Sequence, residues 1–255
     1  MKIEKVKHPA LGPVVLNGTP RLVVGFTDTV SAETARAAFD HGVDIAELRI
    51  DQFSSHEESY VLAQVGKFRR LPTIATIRTG DQGGRYRKSS TERLRLFQAI
   101  IGEVDAVDVE LAAEIRDDVV EFAAANRKLA LVSFHDFEAT PSLERLLVVV
   151  DEAKAAGADV VKVATMVQTM EDVQTLARLT LSRAHSNVAI IGMGALGVLT
   201  RVFLPALGSL LTYAYIGQPT APGQLDADMM FEQLRLMYPS FNEEKIRELR
   251  LVENY

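Results

Sequence analysis

The sequence predicts an α/β fold, and within that class a (β/α)8 barrel of the TIM type. Short apolar runs alternate with segments of helical composition in units of roughly 25–35 residues, as parallel strands joined by helical crossovers require. The runs are apolar at nearly every position, which is typical of strands buried on both faces. Eight such units fill the 255 residues without a linker, and a closed barrel fits this arrangement better than an open doubly wound sheet.

The strands are predicted from runs of β-branched and other apolar residues. Arg21–Phe26 is such a run, and Pro72 stands at the first position of its strand, where a proline is tolerated. In chain order, the predicted strands are Arg21–Phe26, Ile45–Arg49, Pro72–Ile77, Ala106–Glu110, Leu129–Phe134, Val160–Val163, Val188–Gly192 and Leu211–Ile216.

The helices are predicted from helix formers between suitable end residues. Ser31 can cap the first helix, and Gly42 and Gly157 stand just after a helix, where a left-handed backbone is favoured. The predicted helices are Ala32–His41, Glu57–Lys67, Ser90–Ile101, Ile115–Asn126, Ser142–Ala156, Glu171–Ser182, Asp226–Met237 and a charged segment near Glu243–Leu251.

The segment before the first strand, Met1–Thr19, contains an Asn17-Gly18 dipeptide that favours a tight turn. We therefore expect an N-terminal hairpin that closes the bottom of the barrel. No shift in composition divides the chain, so residues 1–255 are expected to form a single domain.

The composition excludes several classes of protein. Asp and Glu number 34 against 28 Lys and Arg, for a net charge of −6, whereas nucleic-acid binding needs a basic face. The chain has no cysteine, which rules out disulfides, thiolate nucleophiles, Cys-ligated zinc and iron–sulfur clusters. No pair of histidines or cluster of aspartates has the spacing of a metal site, so no metal is expected.

No membrane partner is expected either. The most apolar stretch, Val188–Ile216, is interrupted by glycines, by Arg201 and by Pro205, whereas a spanning helix needs about 20 predominantly apolar residues. The segment Met1–Pro13 mixes charged and apolar residues and lacks the apolar core of a secretory signal. We therefore expect a cytoplasmic protein.

Polar residues concentrate where a barrel places its chemistry, at and after the carboxyl ends of the predicted strands. They include Glu47, Arg49, Asp51, Arg78, Gln82, Asp108, Glu110, Ser133, His135, Asp136, Lys162, Arg201, Thr220 and Gln224.

Lys162 is the most informative of these residues. It lies within the apolar run Asp159–Ala164, so its side chain must point into the barrel or towards the helices. Burial without a partner lowers the pKa of a lysine and yields a free amine, which is a nucleophile for a ketone or aldehyde. The alternative is a structural ion pair with Glu110 or Glu47, and the sequence leaves this choice open.

His135 and three arginines complete the pattern. His135 follows the strand next to that of Lys162 and is placed to carry protons at neutral pH, although a structural, hydrogen-bonded histidine is the alternative. Arg49, Arg78 and Arg201 come from three strand ends, and together they favour an anionic substrate such as a carboxylate or phosphate.

One further motif has a competing interpretation. Gly192, Gly194 and Gly197 match the dinucleotide fingerprint G-x-G-x-x-G after a strand. The motif comes late in the chain, and no acidic residue follows the next strand to bind a ribose. We therefore do not expect a nicotinamide cofactor.

Six segments, taken together, resemble the type I 3-dehydroquinate dehydratase family. They occur in the family's order between Arg21 and Tyr238, all at strand ends. The matching segments are Asp44–Asp51, Thr76–Arg78 with Gly83-Gly84, Ser133–Phe137 with Thr140-Pro141, Ala158–Ala164, Met193–Arg201 and Ala221–Gln224.

The resemblance implies a barrel enzyme of the shikimate or quinate pathway that dehydrates 3-dehydroquinate, a small carboxylate, without metal or cofactor. By this analogy Lys162 forms a Schiff base with the substrate ketone, His135 moves protons, and Arg201 binds the carboxylate. Thr220 and Gln224 belong to a loop that closes over the substrate. The ring is held by Glu47, Arg49, Arg78 and Gln224. A homodimer is also implied.

The chain departs from the family pattern at two positions. Gln82 stands where the family usually has a glutamate that pairs with the catalytic histidine, and Thr220 stands where it usually has serine. Glutamine keeps the hydrogen bonding but loses the charge, so an imidazolium at His135 is less stabilised. We expect this to slow the reaction about tenfold to a hundredfold. The alternatives are an aldolase-like Schiff-base enzyme for a related hydroxylated keto acid and a non-catalytic carboxylate-binding barrel.

Overall fold

The computed structural model describes residues 8–38, 42–68, 71–219 and 221–252. Nine parallel strands form one sheet in the order β11-β10-β3-β4-β5-β6-β7-β8-β9. The strands are β1 Ala10–Leu11, β2 Val14–Val15, β3 Arg21–Phe26, β4 Ile45–Arg49, β5 Thr73–Thr76, β6 Ala106–Glu110, β7 Leu129–Asp136, β8 Val160–Met166, β9 Val188–Met193, β10 Leu211–Tyr215 and β11 Leu225–Asp226.

The sheet curls so that β9 and β10 meet. The backbone N–H of Leu210 donates to the carbonyl of Val188 at 2.9 Å, and the hydroxyl of Ser209 accepts from the N–H of Ile190 at 2.9 Å. Strands β3 to β10 therefore form the expected (β/α)8 barrel. The short strand β11, which the sequence analysis missed, extends the sheet beside β10.

The helices follow the strands as expected, with ends that differ from the prediction by a few residues. Serine or threonine caps begin four of them, and Ser89 and Thr169 form capping boxes. Within the described ranges, no helix is long and apolar enough to cross a membrane. The helices are α1 Ala32–Ala37, α2 Glu58–Val65, α3 Ser90–Ile100, α4 Arg116–Ala125, α5 Leu143–Ala155, α6 Met170–Ser182, α7 Val198–Phe203, α8 Ala227–Met237 and α9 Pro239–Val252.

The barrel interior is built in layers, because alternate strands place side chains inward at the same height. The two lower layers are apolar and almost fully buried. They consist of Ile45, Ala106, Val160 and Leu211, and of Val23, Ile74, Leu131 and Ala189.

The next layer towards the carboxyl ends of the strands is polar. It comes from β4, β6, β8 and β10, two residues further along each strand than the lowest layer, and we call it the polar layer. Its members are Glu47, Asp108, Lys162 and Tyr213. The change from apolar to polar interior marks the end of the barrel where chemistry is expected.

The N-terminal hairpin of β1 and β2 closes the opposite end, as expected, since Leu11 and Leu16 pack against the lower layers. Its turn, however, is at Gly12-Pro13 and not at Asn17-Gly18. The register pairs Leu11 with Val14, and Gly12 takes the left-handed conformation, with φ of 53°, that a turn of this length needs.

Helix α9 covers the same end of the barrel. The ammonium of Lys245 donates to Asp44 at 2.6 Å, and Asp44 also accepts from the N–H of Leu22 at 2.7 Å. Arg21 pairs with Glu244 of α9 at 2.8 Å. The last helix is thus tied to the first strands by buried charges.

The single-domain organisation of residues 1–255 stays a prediction.

Candidate active site

A cavity at the carboxyl ends of the strands brings together nearly all of the predicted site residues. Eight of them line it, and Thr220 lies outside the described residues. The eight are Glu47, Arg49, Arg78, Gln82, His135, Lys162, Arg201 and Gln224. Residues that are up to 177 positions apart in sequence (Glu47 and Gln224) therefore line one cavity.

Lys162 points into the barrel, where two carboxylates hold its ammonium. The nitrogen lies 3.1 Å from Asp108 and 3.3 Å from both oxygens of Glu47. Burial alone would lower the pKa of Lys162, but the charges of Asp108 and Glu47 outweigh it and raise the pKa above its usual value. Of the two possibilities that the sequence leaves open for Lys162, the geometry supports the ion pair in the resting site, because the ammonium has two carboxylate partners.

Of the two ion-pair partners that the sequence analysis considered for Lys162, Glu47 is correct and Glu110 is not. Glu110 instead pairs with Arg78 and Arg93, at 3.2 and 2.5 Å. The second partner, Asp108, lies two residues before Glu110 on the same face of β6 and had no assigned role. The alternation of Asp108 and Glu110 with apolar residues in Ala106–Glu110 indicates that both carboxylates lie on one face of the strand.

Asp108 contacts both Arg78 and Lys162. It accepts hydrogen bonds from Arg78 at 2.8 Å, from the hydroxyl of Ser133 at 2.7 Å and from Lys162. Burial would raise the pKa of Asp108, but the charges of Arg78 and Lys162 hold it well below its usual range. The carboxylate therefore stays ionised and fixes both cations.

His135 is the last residue but one of β7, in a strand that runs two residues further than predicted. In the pairing with β8, Ser133 is opposite Lys162. His135, two residues further along β7, is on the same face of the strand and lies closer to the barrel mouth than Lys162 does. Its ring stacks on Phe137 with centroids 5.7 Å apart. Burial, followed by the charges of Arg78 and Lys162, lowers the pKa of His135 well below its usual value. A neutral imidazole is ready to accept a proton.

Gln82 ends the short turn Gly80–Gln82 and lines the cavity beside His135. Among the described residues, Nδ1 of His135 is buried without a hydrogen-bond partner, and so Gln82 does not bond to it there. The two residues are neighbours, as the resemblance implies, but the expected hydrogen bond between them is not formed.

Arg49 and Arg78 are paired before any ligand binds. Two nitrogens of Arg49 donate to the two oxygens of Asp51, at 3.0 and 2.9 Å. Arg78 bonds to Asp108 and Ser133, each at 2.8 Å, and is almost fully buried. Acidic neighbours hold both guanidiniums rigidly, and this orients them towards the cavity.

Arg201 on α7 has different surroundings. It is 2% exposed, and two of its nitrogens donate to backbone carbonyls, of Tyr213 at 3.2 Å and of Pro222 at 3.1 Å. Its Nε has no partner, and no carboxylate pairs with it among the described residues. Burial lowers the pKa of Arg201 to about 10. A buried cation in this state favours an anion in the cavity beside it.

The loop that carries Gln224 crosses the cavity next to the end of β9. The N–H of Gly194 donates to the carbonyl of Pro222 at 3.3 Å, and the amide oxygen of Gln224 accepts from the N–H of Ala221 at 3.0 Å. Gly223 has φ of 74°, and a Cβ there would lie 2.2 Å from the carbonyl oxygen of Gly194. Only glycine allows the loop to approach this closely.

The glycines of the G-x-G-x-x-G motif are explained by packing between β9 and α7. A Cβ at Gly197 would lie 2.5 Å from the backbone of Gly192. The helix that follows has only six residues, and the hydroxyl of Thr200 accepts from the N–H of Gly192 at 2.8 Å. Within the described part of the chain, no group of three His, Asp or Glu side chains is arranged to hold a metal ion.

Comparison with known proteins agrees with this geometry. Residues 22–240 match the family model for type I 3-dehydroquinase. The chain is 35% identical over 232 residues to the 3-dehydroquinate dehydratase of Methanococcoides burtonii, which covers 89% of this chain and 98% of that protein. It is 38% identical over 210 residues to that of Methanothermobacter thermautotrophicus, which covers 81% and 91%.

Solved structures give the same result. The 3-dehydroquinate dehydratase of Geobacillus kaustophilus is similar with a TM-score of 0.84 and 31% identity, over 91% of this chain and 96% of that one. The type I enzyme of Clostridium difficile, solved with covalently modified comenic acid, has a TM-score of 0.85 and 27% identity, over 92% and 98%. Sequence and structure together show that the chain belongs to the type I 3-dehydroquinase family.

Proposed function

We propose that the chain is a Schiff-base-forming hydro-lyase that converts 3-dehydroquinate into 3-dehydroshikimate and water. The observation that carries the proposal is the position of Lys162, an amine that points into a closed cavity at the barrel mouth, with His135 one step above it. The substrate is a small hydroxylated keto acid, and each of its groups has a counterpart in the cavity.

Binding begins with the carboxylate. Arg201 is the buried cation without an acidic partner among the described residues, so the substrate carboxylate supplies the charge it lacks. Arg49, Arg78, Glu47 and Gln224 hold the ring hydroxyls and fix the pose of the ketone next to Lys162. The loop of Gln224 closes the cavity above the ring.

Imine formation requires the ammonium of Lys162 to lose a proton. The imidazole of His135 is the acceptor within the cavity, since burial keeps it neutral at rest and its Nδ1 is unpartnered among the described residues. The amine adds to the ketone carbon to give a carbinolamine, which loses its hydroxyl as water and leaves an iminium. Glu47 and Asp108, which balance the ammonium at rest, then balance the iminium charge.

The iminium is the electron sink for the elimination. His135 removes a proton from the carbon next to the iminium carbon, and the electron pair forms an enamine. The enamine expels the hydroxyl one carbon further along, which takes a proton from His135 and leaves as water. Hydrolysis of the conjugated imine releases the enone product and restores the amine of Lys162.

The test is chemical trapping together with a direct assay. Borohydride added with 3-dehydroquinate should fix the ligand mass on Lys162, located by peptide mass spectrometry. The same mixture without borohydride should gain the absorbance of the conjugated enone. An adduct that forms only with other keto acids would point to the aldolase-like alternative. Binding of quinate-like acids with neither adduct nor product, even at high enzyme, would point to a non-catalytic barrel.

We also propose that the protein acts in the cytoplasm as a homodimer. Supporting this is a group of apolar side chains exposed on α7 and α8, which a second copy can cover. They are Leu199, Phe203, Met229 and Leu236. Sedimentation equilibrium of the purified protein measures the state directly, and a monomer at micromolar concentration would contradict the proposal.

A further inference from the structure

Two carboxylates of the polar layer bind its lysine, whereas the hydroxyl of the fourth member has no hydrogen-bond partner among the described residues. Glu47 and Asp108 both contact the ammonium of Lys162. Tyr213, which completes the layer from β10, is 5% exposed. Its hydroxyl makes no hydrogen bond of normal geometry among the described residues, although the nearby Lys162 acts to lower the pKa of the phenol. A buried hydroxyl of this kind destabilises the fold, so packing alone does not explain it.

The ring of Tyr213 lies directly beside the nucleophile. Its centroid is 4.4 Å from Nζ of Lys162, and both side chains line the same cavity. The backbone carbonyl of Tyr213 also accepts from Arg201, so β10 is fixed relative to the second cation of the site. The ring of Tyr213 therefore forms part of the cavity wall next to the atom that a ketone must reach.

We propose that Tyr213 is a further catalytic residue, whose hydroxyl donates a hydrogen bond to the ketone oxygen while Lys162 adds to the carbonyl carbon. The inference rests on the proposed function and concerns the first chemical step of the same site. It assigns to the tyrosine the part of an oxyanion-hole donor, next to an amine nucleophile.

The step balances without a proton leaving the tyrosine. The amine lone pair forms the C–N bond, and the carbonyl π pair moves onto oxygen, where the phenol O–H stabilises the developing charge. The proton that the nitrogen loses passes to His135 and then to this oxygen, which gives the carbinolamine hydroxyl. Burial and the charges of Glu47 and Asp108 raise the pKa of Tyr213, although Lys162 opposes them, so the phenol remains a donor.

The decisive variant is Tyr213→Phe, because it keeps the ring against Lys162 and removes only the hydroxyl. We expect the rate of borohydride-trapped adduct formation to fall on the order of 100-fold, as when one oxyanion donor is removed. Competitive inhibition by quinate, which has an alcohol in place of the ketone, should change by only a few fold. The melting temperature should stay the same or rise, since the lost hydroxyl had no partner.

Tyr60→Phe is the matched control. The hydroxyl of Tyr60 donates to Asp28 at 2.8 Å, and Tyr60 does not line the cavity. Its loss should lower the melting temperature and leave the rate unchanged, the reverse of the effect at Tyr213. An unaltered adduct rate in Tyr213→Phe would overturn the role of Tyr213 while leaving the proposed function intact. A wild-type protein that forms no adduct would overturn the proposed function and this inference with it.

Discussion

Two of the buried cations that line the cavity, Lys162 and Arg201, have opposite electrostatic surroundings. Lys162, inside the barrel, has two carboxylates within 3.3 Å and a raised pKa. Arg201, on the helix after β9, has only backbone carbonyls as hydrogen-bond partners among the described residues, and its pKa is lowered to about 10.

These different surroundings suit Lys162 and Arg201 to different tasks in the site. The charge of Lys162 is balanced within the protein, so the lysine can pass between ammonium and iminium without a new counterion. The charge of Arg201 is left for the ligand, and a carboxylate that enters the cavity gains a strong, charge-assisted contact there. One cation is therefore arranged for chemistry and the other for recognition, and each can be removed separately.

The largest effect is expected from Lys162→Met. Adduct formation and turnover should both be lost, with a rate at least about 10⁴-fold lower, as for other covalent nucleophiles. Stability should also fall at neutral pH by about 3–5 kcal/mol, because Glu47 and Asp108 lose a buried counter-charge. Denaturant unfolding of the wild type and the variant measures this difference.

The pH dependence of that loss has a definite sign. In the wild type the pKa of Asp108 is lowered, so its stabilisation is present above the unfolded pKa and is lost only in strong acid. Without Lys162 the pKa of Asp108 moves up, and protonation of this carboxylate removes an unbalanced buried charge from the variant as the pH falls. The stability gap between the two proteins should therefore narrow from pH 7 towards pH 4. A constant gap would mean that the carboxylates do not depend on Lys162.

A smaller effect with the opposite stability change is expected from Arg201→Gln. KM should rise about 10- to 100-fold, which corresponds to one lost hydrogen bond to a charged group. The melting temperature should stay the same or rise, because the arginine is a buried cation with no carboxylate partner among the described residues. If this variant unfolded as readily as Lys162→Met, the distinction between the two cations would not hold.

The smallest effect is expected from Gln82→Glu, and it is a gain. A carboxylate beside His135 should raise the lowered pKa of the imidazole and increase turnover about tenfold. The acid limb of kcat/KM should move to higher pH with it. Gln82→Met, of similar size and without charge, should produce neither change, and an unaltered or lower rate in Gln82→Glu would show that Gln82 does not limit the reaction.

Unfolding gives a second measure of the same change. The pKa of His135 is lower in the folded protein than in the unfolded chain, so the unfolded chain binds more protons in mild acid. The free energy of unfolding of the wild type therefore falls as the pH drops below the unfolded pKa of about 6.5. A raised histidine pKa in Gln82→Glu should reduce this loss. The difference in melting temperature between pH 7 and pH 5 should therefore be smaller in the variant than in the wild type.

The barrel could be predicted from the sequence because each of its units is local. The strand bounds of Arg21–Phe26, Ile45–Arg49 and Ala106–Glu110 agree with the structure, since apolar runs between helix caps define them. β7 runs past its predicted end because the polar residues His135 and Asp136 continue the strand where it lines the cavity. A hydrophobic pattern does not show such residues.

The partners within the site could not be predicted in the same way. Asp108 and Glu47 reach Lys162 across the barrel, over 54 and 115 residues of sequence, and only the register of the sheet brings these three strands to one height. The role of Tyr213 depended on the same register. The residue types were enough to predict the candidate site residues. Which charged groups lie next to Lys162, and hence the direction of its pKa shift, depends on the closed barrel.

The contact between α9 and the first strands bears on how the chain matures on the ribosome. Arg21 and Asp44 are synthesised about two hundred residues before Glu244 and Lys245, the acid and amine that neutralise them. Until the last helix emerges, Arg21 and Asp44 can pair with each other, at 3.8 Å, but lack the closer partners that α9 supplies. A chain cut short before α9 keeps the hairpin over this end of the barrel but loses the closest partners of these two charges, and we expect it to be less stable.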